Sequence, residues 1–446
     1  MKNELEKFVT YISDICNGTP NNLSIDEARN VVRAINEFLY ATDDSLDEVE
    51  ALGSKFQFFS EFHKYWEANH EKIIDLKIDD QACSYVADAL HDVFIRTKGI
   101  AFSEVWDACG LKPKEVCRIR MLTANQDFRG SRSFHGLAKI YRDDASLFDV
   151  RKINDDPEDF ISAIGALLLS QSDKRIQYAK NITNFLIEND SEPYEIIDRF
   201  DRDVFALREA LTHYQGAGYG NKKTDMFIRD MVVLEIWDNI TGFEKIDVAS
   251  DVNTIKVALR TGIMKSAIPL VSSFMDIFCY QYGYVDEINA KAWRRVWEIW
   301  RAKYPDESID SPCLLDFFVY NVIGKQFCKD ILCEYKCDAY DHTFKWHSPK
   351  NKTCQVCHRN GERNKAHLIL KKMPCTDPDG EIAIKGTDFY TKEIAEPNLS
   401  ECPFKIACSE NGFRMLEPPK SISIMGQTGW TTAYAKKEQG GGGIMA

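Results

Sequence analysis

Apolar positions recur at helical spacing through most of the chain. LEKFVTYISDIC, IDEARNVVRAINEFLY and QACSYVADALHDVFI each place hydrophobic residues three and four apart, the period of an amphipathic helix. The segment NDDPEDFISAIGALLLSQSDKRIQYAKNITNFLIEN opens on Pro157 behind acidic residues, a helix-start signature. Its apolar residues Phe160, Ile161, Ile164, Leu167 and Leu168 run out at Ser170-Gln171, which predicts a polar helix corner. ALREALTHY and a second helix from Thr224 to Trp237 flank a glycine-rich turn, Gly218-Tyr219-Gly220. Further on, Trp293, Trp297 and Trp300 stand four and three apart and predict an aromatic stripe packed in a core. The fold class expected is mostly α. The organisation expected is an acidic helical domain over 1–150, a helical core over 151–327, a cysteine-rich module over 328–410 and a Gly/Ser/Thr-rich tail over 411–446.

Charge changes this picture little. The net charge of −13 argues against a generic nucleic-acid coat. More than half of the acidic excess lies before residue 150, so a local basic surface further on stays open. FRGSRSFHG, with Arg129 and Arg132, reads as a solvated loop. No apolar run reaches the ~18 residues that span a bilayer. MKNELEKFVTYISDIC is amphipathic and acidic, so no leader is expected and a cytoplasmic, nucleoid-associated location is. Cysteine changes it more. Of 14 cysteines nine follow residue 300, and such clustering points to metal ligation.

The chemistry concentrates between Gln215 and Ile263. A Gly-x-Gly turn lets backbone N–H groups approach a phosphate oxygen, and Lys222 and Lys223 follow at once. A lysine attacks only as the free amine, which burial and a neighbouring cation favour. Ser250-Asp251 then opens another helix, with Arg260 nine positions in. This resembles the helix-hairpin-helix DNA glycosylases, the endonuclease III and 8-oxoguanine glycosylase superfamily. The resemblance covers roughly 155–337 plus 402–408. It implies Lys222 as nucleophile, with Lys223 one register step away, and Asp251 as the acid that stabilises the sugar cation or activates the attacker, with Asp247 as runner-up. It further implies that Gln171 fills the gap left by an extruded base, and that Gly218, Gly220 and Lys223 contact DNA. Lys222 and Asp251 are 29 positions apart by subtraction, longer than the family spacing, with the extra residues in VVLEIWDNITGFEK. If that insertion displaces the hairpin, the lysine assignment fails.

Gly324-Lys325-Gln326-Phe327-Cys328, and Cys402-Pro403 with Cys408, are similar to the opening and closing of the family's iron–sulfur loop. Thiolates are soft ligands suited to a [4Fe-4S] cluster. About 60 residues separate Cys337 from Cys402, and Cys354, Cys357 and Cys375 fall between. One partition places zinc on Cys333, Cys337, Cys354 and Cys357 and the cluster on Cys328, Cys375, Cys402 and Cys408. Another places the cluster on Cys328, Cys337, Cys402 and Cys408, leaving a looser zinc site with His358 or His367. The reading expected is a monomeric DNA glycosylase and AP lyase acting on double-stranded DNA, with no membrane. A non-catalytic hairpin protein, or an HNH-like nuclease on CQVCHRNGERNKAHLI, are the alternatives. Trp430, Tyr434 and Lys436-Lys437 give the tail stacking and phosphate-binding groups. Which base is excised is not legible.

Overall fold

The structure of the chain is a computed structural model. It describes residues 10–11, 14–15, 23–31, 65, 68–103, 105–127, 133–169, 171–267, 283–327, 333–337, 342–346, 368–372 and 402–411. The described residues are mostly helical. Strand β1 (Lys77–Ile78) leads into helix α1 (Asp80–Thr97), followed by α2 (Pro113–Thr123), α3 (Phe134–Asp143), α4 (Val150–Asp155) and α5 (Pro157–Ala163). Helices α6 (Ser172–Glu188), α7 (Val204–His213), α8 (Asn221–Val233) and α9 (Val252–Thr261) come next. Strand β2 (Met264–Lys265), helix α10 (Gly283–Lys303) and a π-helical stretch over Phe318–Phe327 follow. Strands β3 (Cys333–Cys337), β4 (His342–Trp346) and β5 (Leu368–Lys372) and helix α11 (Lys405–Asn411) come last. No described helix is long and apolar enough to cross a membrane.

Contacts divide the chain into two compact units. One joins His91–Asp251 to Trp297–Phe318; the other joins Met1–Leu90, Val252–Val296 and Val319–Ala446. In the first, aspartates start several helices, and the start expected at Pro157 is one of them. Asp149 accepts from the Arg151 and Lys152 N–H groups, Asp156 from Asp159, and Asp203 from Phe205 and Ala206. Each such cap contributes about 1 kcal/mol. Helices α2, α4 and α5 pack on α6, and one buried cluster runs from Val116 through Phe148, Phe160 and Ile182 to Phe227 and Ile246. The break expected at residue 150 therefore falls inside a continuous core. Among the described residues, Asp143, Asp144 and Asp149 just before that position are exposed, while Phe148, Val150 and Ile153 beside them are buried in the shared core.

The loop after α8 folds back onto the core. Ile236, Trp237 and Phe243 turn into the same core, and Trp237 Nε1 donates to the Tyr194 carbonyl at 3.0 Å. A short parallel bridge, Asp203 with Thr241, fastens the loop to the start of α7. Trp297 and Trp300 are buried as expected, donating to the carbonyls of Ile309 (2.8 Å) and Glu307 (3.0 Å).

In the second unit β1 and β2 pair antiparallel. Asn411 of α11 donates to the carbonyls of Leu259 (3.3 Å) and Arg260 (3.1 Å), so it caps the end of α9. Trp293, also buried, donates to the Thr254 carbonyl at 3.4 Å. Strand β3 is the middle of an antiparallel sheet with β4 and β5.

Candidate active site

Helices α7 and α8 are joined by the turn over 214–220. Gly218 has φ 74°, and a Cβ there would stand 2.5 Å from the Tyr178 ring, so glycine is required on both counts. Gly220 differs from expectation. Its φ is −85°, and a Cβ would meet nothing within 4 Å. It is the residue ahead of α8 and supplies no side-chain cap to the first N–H groups of the helix.

Lys222 is half-exposed on the first turn of α8. Lys223 turns inward, its Nζ donating to the Asn125 carbonyl at 3.0 Å. Burial pushes its proton affinity down, to about 8; Asp127 opposes this, and Lys222, Arg175 and Arg120 add to it.

The turn Ala124–Gln126, which ends α2, organises the surroundings. Asn125 Nδ2 donates to the carbonyls of Ala217 (2.9 Å) and Tyr178 (3.1 Å), tying the hairpin turn to α6. Its Oδ1 accepts from Gln126 Nε2 at 3.0 Å, and Nε2 also points to the Arg175 carbonyl at 3.3 Å. Arg175, fully buried, donates to the Gln126 carbonyl at 2.8 Å. Gln126 Oε1 is buried without a hydrogen-bond partner among the described residues, which costs about 1–3 kcal/mol. Arg120 bridges Asp127 and Asp230, each at 3.1 Å; Arg229 holds the other Asp230 oxygen at 2.6 Å and also pairs with Asp316. Burial works against the Arg120 charge, but Asp230 and Asp127 outweigh it. None of Arg120, Asn125, Gln126, Asp127 and Arg175 was singled out from sequence. MLTANQD matches no motif, and the only signal is a polar run ending an apolar helix.

Two of the expected residues lie elsewhere in this unit. Asp251 is buried at 6% exposure directly ahead of α9 and is the unit's last residue. Gln171 precedes α6 in the left-handed region, φ 64° and ψ 45°, with its carbonyl accepting from the Arg175 N–H at 3.1 Å. A non-glycine residue held there stores strain, which clusters at functional positions. Leu168, on the same loop, is 96% exposed.

For the metal module, Cys402 and Cys408 are buried in the second unit, Cys408 donating its N–H to the Phe404 carbonyl at 2.9 Å. Cys328, Cys354, Cys357, Cys375, His358 and His367 lie outside the described residues, as do Arg129, Arg132 and the tail. Among the described residues no group of three or more His, Cys, Asp or Glu could hold a metal ion. Cys333 and Cys337 are the two ends of β3. No protein-family model matches the chain, and no curated protein matches it in sequence.

Proposed function

We propose that the chain is a DNA glycosylase with AP-lyase activity, and that Lys223 is its amine nucleophile, one residue past the position the family spacing selects. The observation that carries this is the amine at the start of α8 whose proton affinity lies at about 8, behind a turn with an obligatory glycine at 218. Burial and a neighbouring lysine are the two effects that prepare an amine for covalent catalysis. The neutral amine attacks C1′ of an extruded nucleotide, the base departs, and the resulting Schiff base permits β-elimination. Asp251 stabilises the cationic sugar. Lys222 and the uncapped N–H groups after Gly220 seat a backbone phosphate, where the helix dipole favours an anion. Gln171 occupies the gap in the duplex.

The buried thiols of Cys402 and Cys408 suit an iron–sulfur cluster, and Cys328 and Cys337 would complete the ligand set. Such a cluster would fix the position of its loop and supply no step of the reaction.

Borohydride trapping on duplexes bearing an abasic site or a panel of modified bases tests the reading. An adduct lost in Lys223→Ala and retained in Lys222→Ala is expected. Loss in Lys222→Ala alone moves the nucleophile back to the family position. Tight binding without any adduct or base release would establish a non-catalytic hairpin protein.

A further inference from the structure

Beside the lysine anchor lies a recess lined by Thr123, Gln126, Asp127, Leu137, Ile164, Ala166 and Arg175, all of one unit. Counted with the solvent at its mouth it holds about 240 Å³, and its enclosed floor about 10 Å³, room for one water. This is below the ~300–1,000 Å³ of a drug-sized site. Its closed space takes one group the size of a water, such as an amino group, and no ring.

The orientation of the Gln126 amide on this lining is fixed by its neighbours. Two backbone carbonyls take both Nδ2 protons of Asn125, which leaves its Oδ1 toward Gln126. That oxygen and the Arg175 carbonyl are both acceptors, so Gln126 must present Nε2 to them. Flipping the Gln126 amide would set oxygen against oxygen twice. Oε1 is the end left over, buried and without a partner among the described residues, on a side chain that lines the recess. An acceptor locked in that orientation calls for a donor. The adjacent residue, Asn125, is the one that anchors Lys223, so donor and amine meet the same turn.

We infer that Gln126 is the base-reading residue: its Oε1 accepts a hydrogen bond from an N–H on the edge of the extruded base, so the substrate class is bases that carry such a donor. This rests on the glycosylase reading and deepens it. Leu137, Ile164 and Ala166 give the apolar wall, and Gln126 the one polar demand. A base lacking the donor leaves the acceptor unpaired, which discriminates by about 10- to 100-fold.

The test compares excision from duplexes carrying adenine or cytosine, or modified forms that keep the amino group, with those carrying purine or pyrimidin-2-one at the same position. Wild type is expected to prefer the amino-bearing base by about 10-fold or more, with Gln126→Met bringing the ratio near one. Taking the ratio between the two proteins cancels the intrinsic lability of each glycosidic bond. Lyase action on a preformed abasic site has no base to read, and it should be unchanged in Gln126→Met. An unchanged preference in Gln126→Met overturns the inference, with Oε1 serving only an ordered water, and so does a parallel loss of abasic-site lyase, which would make Gln126 structural. Wild type that neither traps nor excises defeats the glycosylase reading itself.

Discussion

The proton affinity of Lys223 can be measured without any assumption about activity. An ordinary lysine titrates near 10.4, and this one at about 8. At pH 7 roughly one Lys223 in ten is then a free amine, against about one in three thousand for an unperturbed lysine. Competitive labelling with acetic anhydride, read by mass spectrometry at residue 223 from pH 6 to 11, should rise about tenfold per pH unit and level off above pH 8 to 9. Stability follows with a definite sign. The folded value lies below the unfolded one, so burial of the charge opposes folding below pH 8. That opposition disappears as pH rises toward 10.4, by up to about 3 kcal/mol across the interval. Lys223→Met should therefore melt higher than wild type at pH 7, and the advantage should shrink toward pH 10. In Asp127→Asn the carboxylate that favours the ammonium is gone, and the labelling midpoint should move to lower pH. A labelling curve still climbing at pH 10 would refute the reasoning, because the amine would then behave as an exposed one.

Three further outcomes separate fold from function in the same unit. Gly218→Ala places a Cβ against the Tyr178 ring at positive φ and should cost about 2 kcal/mol or more in urea unfolding, whereas Gly220→Ala should fold normally and weaken duplex binding in fluorescence anisotropy. Gln171→Gly relieves a left-handed φ of 64° and should stabilise by about 1 kcal/mol in a thermal melt, yet lower base excision if the side chain fills the duplex. Arg208→Met strands the buried Asp225 carboxylate that Arg208 holds at 2.6 Å, and should destabilise by about 3 kcal/mol at pH 8, with the loss shrinking as acid protonates Asp225, whose carboxyl burial already pushes up to about 7.

The sequence made visible what depends on local chemistry. Pro157 behind aspartates marks a helix start because ring and cap act on adjacent residues, and helix α5 begins there. The tryptophan spacing announces burial because one helix face carries it. Gly218 shows itself by the two helices around its turn. The partners of Lys223 do not show themselves, because Asn125 and Asp127 lie almost a hundred positions away in a segment whose polarity resembles a surface loop. Tertiary packing alone turns TANQD inward, where its amides satisfy one another and the backbone of α6. The break expected at residue 150 has the same origin: acidity describes the exposed Asp143, Asp144 and Asp149, and the core is decided on the other faces of α3 and α4. For the two lysines a motif register chooses by counting from glycine, while burial chooses by direction along the helix.

Direction along the helix also explains how a lysine stays near 8 with Asp127 so close. Left to itself, that carboxylate would pair with the ammonium and hold its proton. Instead Asp127 is taken by Arg120 Nη1 at 3.1 Å, and Arg120 is itself fixed by Asp230, which Arg229 holds from the other side. Arg120 therefore acts twice on Lys223, engaging the nearest carboxylate and adding a positive charge of its own. Both effects vanish together in Arg120→Met. Asp127 becomes available to the ammonium, and the labelling midpoint of Lys223 should move to higher pH, opposite to its movement in Asp127→Asn. Unfolding will be easier by about 3 kcal/mol, since the buried Asp230 and the part-buried Asp127 each lose a partner, but a midpoint is readable in any protein that remains folded at the temperature of labelling. Trapping of abasic DNA at pH 7 should fall with the free-amine fraction and recover at pH 9. If both variants shift the midpoint the same way, the change reflects loosened packing around residue 223, and the charge relay from Asp230 through Arg120 to Asp127 has no part in setting it.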